Sequence, residues 1–221
     1  MSDYQDEGTP QTKAWVKKND RLKGERAVWE TMWQEIAEHV FPRKAGVTQK
    51  DYTPNNQRDA YLYDITAQDS LSRAVAGYMT WTTDKSQPWF EFTPTLQHRQ
   101  SEPVKNWLRE CSMLGAEYVA NSNFYAERHE SLFDKWGFGT DCLFSQVTPD
   151  KTTRFEKIRI GTYVFWTDWM GRAEGLIREF ELTASQAEGQ FGRENLPKCV
   201  TEVLENDTGK KFTFLHIVEP R

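Results

Sequence analysis

Little in this chain of 221 residues invites covalent or membrane chemistry. Cysteine occurs three times, at Cys111, Cys142 and Cys199, odd in number and without C-x-x-C spacing, so neither a disulfide framework nor a zinc site is expected. A reducing compartment fits that usage. No run of about 18 apolar residues occurs, which excludes a membrane-spanning helix. The opening MSDYQDEGTPQTK is polar and acidic, unlike a secretory leader. Basic charge is also short: 28 Lys and Arg stand against 33 Asp and Glu, for a net charge of -5 and a pI near 5.5. That balance argues against holding nucleic acid by broad phosphate neutralisation. It is compatible with DNA that slides past without being held. Apolar residues make up 38%, below the usual range of about 45–50% that also counts glycine.

Aromatic residues are what the chain has in quantity, 14% of it, with nine tryptophans. A wet, aromatic-rich composition suits a protein that buries surface against copies or partners as well as inside itself. Residues 1–12 have nothing apolar to bury and are expected to form a disordered tail. From Ala14 to Val40, the residues Trp15, Leu22, Trp29, Trp33, Ile36 and Val40 recur at helical spacing and predict one long helix ending at Phe41-Pro42. Its lysines and arginines read as a solvated face. Residues 43–60 have turn composition and predict a long loop.

A second helix follows, with Thr66 and Asp69 as a capping box and Leu71, Val75, Tyr78 and Met79 as its apolar side. Its other side carries Ala67, Ser70, Ala74 and Gly77 at spacings of three and four, a strip that admits close approach of another backbone. Pro88 ends the helical run, and WFEF at 89–92 alternates as a strand does, with Trp89 and Phe90 as a rigid anchor. Ser101 opens a helix through Val104, Trp107, Leu108, Cys111, Leu114 and Tyr118. Another starts near Asn123, with Phe124, Leu132, Phe133 and Trp136 facing inward until GFGT stops it. The period then becomes two: DCLFSQV, RFEKIRI, TYVFWTD and EGLIREFEL predict four strands in an antiparallel meander packed on the helices, an α+β class. Thr183 and Gln186 cap a helical stretch that Gly192 and Pro197 interrupt. KKFTFLHIV then reads as a strand with nothing visible to pair with, ending abruptly at Arg221, which suggests a piece of a longer protein.

Catalytic constellations are thin. Of His129, Glu130 and Asp134 only the two acids share a helix face, and H-E-x-x-H is absent. His39, His98 and His216 are isolated. GFGT follows a helix and precedes a strand, the wrong order for a phosphate-binding loop. One site class is kept as an alternative, a carbohydrate-binding or carbohydrate-active protein with tryptophan platforms and the pair Glu179 and Glu181 on one strand face.

The order of landmarks carries a resemblance. Trp29 in the first helix, FPR at 41–43, YDITA at 63–67, PWFEF at 88–92, NSNF at 121–124, GFGT at 137–140, DWMG at 168–171 and REFELTASQ at 178–186 resemble the head-to-tail connecting, or portal, proteins of short-tailed bacteriophages. The likeness runs from about Trp15 to Arg221; where the family often has Leu-Thr-Pro-Pro, this chain has WTTDKSQ. It implies residues 13–181 as a wing, 182–208 as a first stem-like helical segment and 209–221 as the start of a clip. It also implies a non-enzymatic structural subunit without cofactors or metals, present in a homo-dodecameric ring at one capsid vertex of the virion and assembled in the host cytoplasm. The partners it implies are the major capsid protein, scaffolding protein, terminase, a tail adaptor and double-stranded DNA in the channel, with no membrane. In such a ring, Ala67, Ser70, Ala74 and Gly77 are the expected close-packing or subunit-interface residues, and Trp89 and Phe90 the structural anchor. A degenerate prophage remnant that folds without assembling is the blander alternative.

Overall fold

The computed structural model describes residues 9–41, 64–98, 101–148, 150, 152–204 and 209–220. The loop expected at 43–60 and residues 1–8 of the expected tail lie outside them. The class is α+β, with six α-helices and antiparallel sheets of two and three strands among the described residues. Two compact units share the chain, Met1–Glu30 with Gly161–Arg221, and Thr31–Ile160. The long helix α1 (Pro10–Val40) contributes to both. It starts earlier than composition suggests, because Pro10 suits a first helical position and Thr9 Oγ1 accepts from the Thr12 amide at 3.3 Å.

In the unit Thr31–Ile160, the end of α1 packs Trp33, Ala37 and Phe41 onto Phe138 and Ile160. Trp33 Nε1 donates to the Phe138 carbonyl at 3.1 Å, so the buried indole keeps a partner. Phe41 stacks on Phe138 at 5.0 Å. It does so only because position 137 is glycine: a Cβ there would lie 2.3 Å from the Phe41 ring. Helix α2 (Thr66–Thr82) buries Val75. Helix α3 (Glu102–Ala120) follows, then α4 (Phe124–Phe138), which stops at Gly139 in the left-handed conformation at φ 79°. The hairpin of β1 (Leu143–Val147) and β2 (Thr153–Lys157) completes the unit.

A polar stripe on α4, unread in the sequence, holds that hairpin. Asn123 Nδ2 donates to the Phe155 carbonyl at 2.7 Å while its Oδ1 accepts from the Phe155 amide at 2.9 Å, as a neighbouring strand would. One turn on, Glu127 accepts from the Lys157 amide at 2.7 Å. Ser131 then donates to Asp141, and buried Asp134 pairs with the Lys157 ammonium. Spacings of four, four and three put these groups on one helix face.

In the other unit, the start of α1 lies on the sheet β3 (Tyr163–Thr167), β4 (Ala173–Thr183) and β5 (Lys211–Val218). Leu22 joins Val164 and Ile177 in the core. Glu179 accepts from buried Asn19 at 2.9 Å and pairs with Lys23. Arg26 donates to the Tyr163 carbonyl at 2.7 Å. Trp15 leans on Trp166, with the Lys18 ammonium 3.4 Å from the Trp166 ring centre. Helices α5 (Ala184–Phe191) and α6 (Lys198–Leu204) bury Ala184, Ala187 and Val200 against Phe212 and Phe214. The Thr183/Gln186 capping box is present in full.

Four sequence expectations are corrected. The meander is divided, since β2 pairs with β1 and β3 with β4, and Gly161 at φ 85° turns the chain between them. The last strand has a partner: β5 pairs antiparallel with β4 from Leu176↔Val218 to Thr183↔Lys211. WFEF joins no sheet; the Phe92 amide donates to Ser112 Oγ at 2.8 Å instead of to a neighbouring strand. The start of α2 is held by Asp64, whose Oδ1 accepts from the Thr66 amide at 2.8 Å and the Thr66 hydroxyl at 2.6 Å, while Asp69 pairs with Arg73.

Candidate subunit interface

Six of the nine tryptophans are exposed: Trp29, Trp81, Trp89, Trp107, Trp136 and Trp169. A tryptophan offers roughly 150–250 Å² for burial, and leaving so many in water is a property of surfaces that meet something else. Trp29 was expected on the inner stripe of α1. It lies outward because Asn19, Leu22 and Arg26 take the face turned to the sheet.

The small-residue strip of α2 faces outward. Ala67, Ser70 and Gly77 are exposed and Ala74 is half-buried against the unit. A Cβ built on Gly77 meets nothing within 4 Å. Four residues beyond Gly77 the same lane ends at Trp81, 91% exposed. The adjacent face packs inward through Leu71 and Val75, and at its edge the exposed Tyr78 ring meets Trp136 edge-on at 5.6 Å. Helix α3 presents a second outward stripe, with Trp107, Leu114 and Tyr118 at spacings of seven and four. Ser112, Leu108 and Gly115 take its inner side, whereas Trp136 of α4, expected to face inward, is half-exposed at 50%.

Trp89 and Phe90 sit where 88–92 crosses the helices. Trp89 stacks on Phe124 at 5.8 Å, and Phe124 meets Phe155 of β2 edge-on at 5.1 Å. Its Nε1 donates to the Tyr125 hydroxyl at 3.1 Å. Phe90 lies over Gly115, where a Cβ would be 3.3 Å from its ring. The aromatic chain therefore connects this segment to α3, α4 and, through Phe124, the β1–β2 hairpin.

The residues considered for catalysis are structural where the contacts are defined. His129 packs edge-on against Phe133 at 4.9 Å. Asp134 faces Lys157, Glu179 faces Asn19 and Lys23, and Glu181 lies 4.0 Å from the Lys211 ammonium. Among the described residues, the carboxyl groups with shifted pKa are all lowered and all local. The Thr66 hydroxyl does this to Asp64, the Ser86 amide to Asp84, the Lys105 ammonium to Glu102 and the Thr148 hydroxyl to Asp150. No group of three or more His, Cys, Asp or Glu able to hold a metal occurs among the described residues, and none of their helices is long and apolar enough to cross a membrane.

The described residues thus form α+β units with packed interiors and six exposed tryptophans. The chain belongs to the family described as bacteriophage head to tail connecting protein, whose profile matches residues 12–221. It is similar to a protein of Bordetella phage BPP-1 named "Probable portal protein", 28% identical over 203 residues, 91% of this chain and 37% of that one. It is also similar to a "Portal protein" of Salmonella phage epsilon15, 26% identical over 207 residues, 93% of this chain and 37% of the relative. The chain thus spans little more than a third of the length of the curated relatives it matches.

Proposed function

We propose that this chain is the ring-building part of a phage portal subunit: a non-enzymatic structural protein of the virion, without cofactors. A homo-dodecamer of it at one capsid vertex forms the conduit for packaging and ejecting double-stranded DNA. The ring meets the capsid and scaffolding proteins during assembly in the host cytoplasm, and it docks terminase and then the tail adaptor. The names of the relatives support the portal reading, and nothing in the comparisons supports the carbohydrate alternative.

The observation that carries the ring is the outward lane of α2, from Ala67 through Ser70, Ala74 and Gly77 to Trp81. In a closed ring each copy offers one patch and receives a different one, so one small-residue face and one anchor per copy suffice. Burying Trp81 is worth about 4–6 kcal/mol gross at ~25 cal/mol/Å². That exceeds the cost of fixing one side chain, about 0.5–1.5 kcal/mol. The test is native mass of the purified chain with particle images from the same sample. A closed ring of about twelve copies supports the reading; a monomer at all accessible concentrations refutes the assignment of ring formation to this part of the subunit.

A further inference from the structure

The turn joining β3 to β4 has no role in the fold's interior, yet it is built with care. Asp168 Oδ1 accepts from the Met170 and Arg172 amides, each at 2.8 Å. The Asp168 amide donates to the Arg172 carbonyl at 2.8 Å and the Gly171 amide to the Asp168 carbonyl at 3.0 Å. Gly171 takes φ 77°, a left-handed conformation that a side chain resists. What this braced turn presents is Trp169, 91% exposed, and Met170, 53% exposed. A rigid turn that leaves an indole in water loses little freedom when the indole is buried by a partner, which is the property of a binding anchor.

The unit Thr31–Ile160 carries a recess of fitting chemistry. A groove of about 400 Å³ is lined by Pro88, Trp89, Phe90, Glu91, Arg109 and Met113, together with Ser112. Pockets of roughly 300–1,000 Å³ take small apolar groups, so an indole with a thioether beside it is of the right size. The polar residues match as well. Arg109 supplies a cation suited to an indole face, and Glu91 an anion suited to Arg172 next to the tip. We infer that the Trp169-Met170 tip of one copy seats in the Pro88–Met113 groove of a second copy of this chain. Tip and groove are different patches, so the contact is head-to-tail and propagates around a ring. The inference rests on the ring reading above and adds a contact distinct from the α2 lane.

Cross-linking tests it. In a chain with Cys111, Cys142 and Cys199 changed to serine, Met170→Cys and Met113→Cys together are treated with a short bis-maleimide. The expected product is a ladder of covalent multimers, absent from either single variant; Met113 and Met170 are exposed, and because Cys111 and Cys142 are partly buried the cysteine-free parent is first shown to melt and assemble as the original chain does. In parallel, Trp169→Ala should raise the concentration of half-assembly by more than roughly tenfold. Arg172→Glu should weaken assembly, and Glu91→Arg added to it should restore it. Rings that assemble without a ladder, or a cross-link closed within one copy, overturn the inference and leave the ring reading intact. A parent chain that never assembles overturns both.

Discussion

Gly77→Leu separates the stability of the subunit from its assembly, because the two should move in opposite directions. Gly77 lies inside α2, five residues before its end, and a Cβ there meets nothing within 4 Å. In an exposed helix interior, replacing glycine by a good helix former stabilises by about 0.8–1 kcal/mol. The unassembled chain should therefore melt about 2–4 °C higher. In a ring whose boundary runs along Ala67, Ser70, Ala74 and Gly77, the added side chain occupies space reserved for the neighbour. Overpacking costs about 1–3 kcal/mol per contact, repeated at every subunit boundary. Ala74 is the less informative position, because it is half-buried and a larger group there strains the subunit itself. The assay pairs a thermal melt at a concentration below assembly with native mass at one above it. Gly77→Ala serves as the graded control, with the same helix gain and a smaller intrusion. A higher melting temperature with fewer rings is expected. Rings formed at the parent concentration would refute the α2 boundary, and a lower melting temperature would show that Gly77 is packed within its own unit.

Two further perturbations address the fold. Lys157→Met leaves the Asp134 carboxylate, 1% exposed, without its ammonium and should cost about 3–5 kcal/mol in urea unfolding, whereas Asp134→Leu with Lys157→Met should recover most of that; additive single losses would contradict the pairing. The Asp64 carboxyl is held below its ordinary value of 3.8, first by the Thr66 hydroxyl and then by the Thr66 amide. Its support for the start of α2 is therefore complete above that value and is lost as pH falls through the lowered one. The protection of the Thr66 amide relative to its intrinsic exchange rate should fall in that acid window, and Asp64→Ala should abolish this change in protection; a change that survives the substitution would dissociate it from this carboxylate.

Local periodicity made much of this protein legible. The 3.6-residue spacing of Leu71, Val75 and Met79 marks the inner side of α2, and Val75 is buried. The Thr183/Gln186 box is a contact three residues long and forms as read. Alternation locates β1 to β5, because the side-chain period of two is written in consecutive residues, but it also marks WFEF, which joins no sheet. The strip at Ala67, Ser70, Ala74 and Gly77 is equally visible, since small residues at spacings of three and four define a helix face before any contact is known.

By itself, then, the sequence determined the α+β class, the positions of most helices and strands though not WFEF, and the family, all encoded in short spacings or in the order of landmarks along the chain. Only the tertiary structure decided which strands pair, which tryptophans face water, and what the polar residues do. The partner of β5 is β4, across the intervening α5 and α6, and hydrophobic alternation says which face is buried without naming the neighbour. Trp29 obeys the helical period as well as Trp33 does, but the inner face of its part of α1 belongs to Asn19 and Arg26 because Glu179 and the Tyr163 carbonyl lie opposite. Buried polar groups go where a partner completes their hydrogen bonds, and those partners lie more than 130 residues away in sequence, beyond the reach of any local pattern.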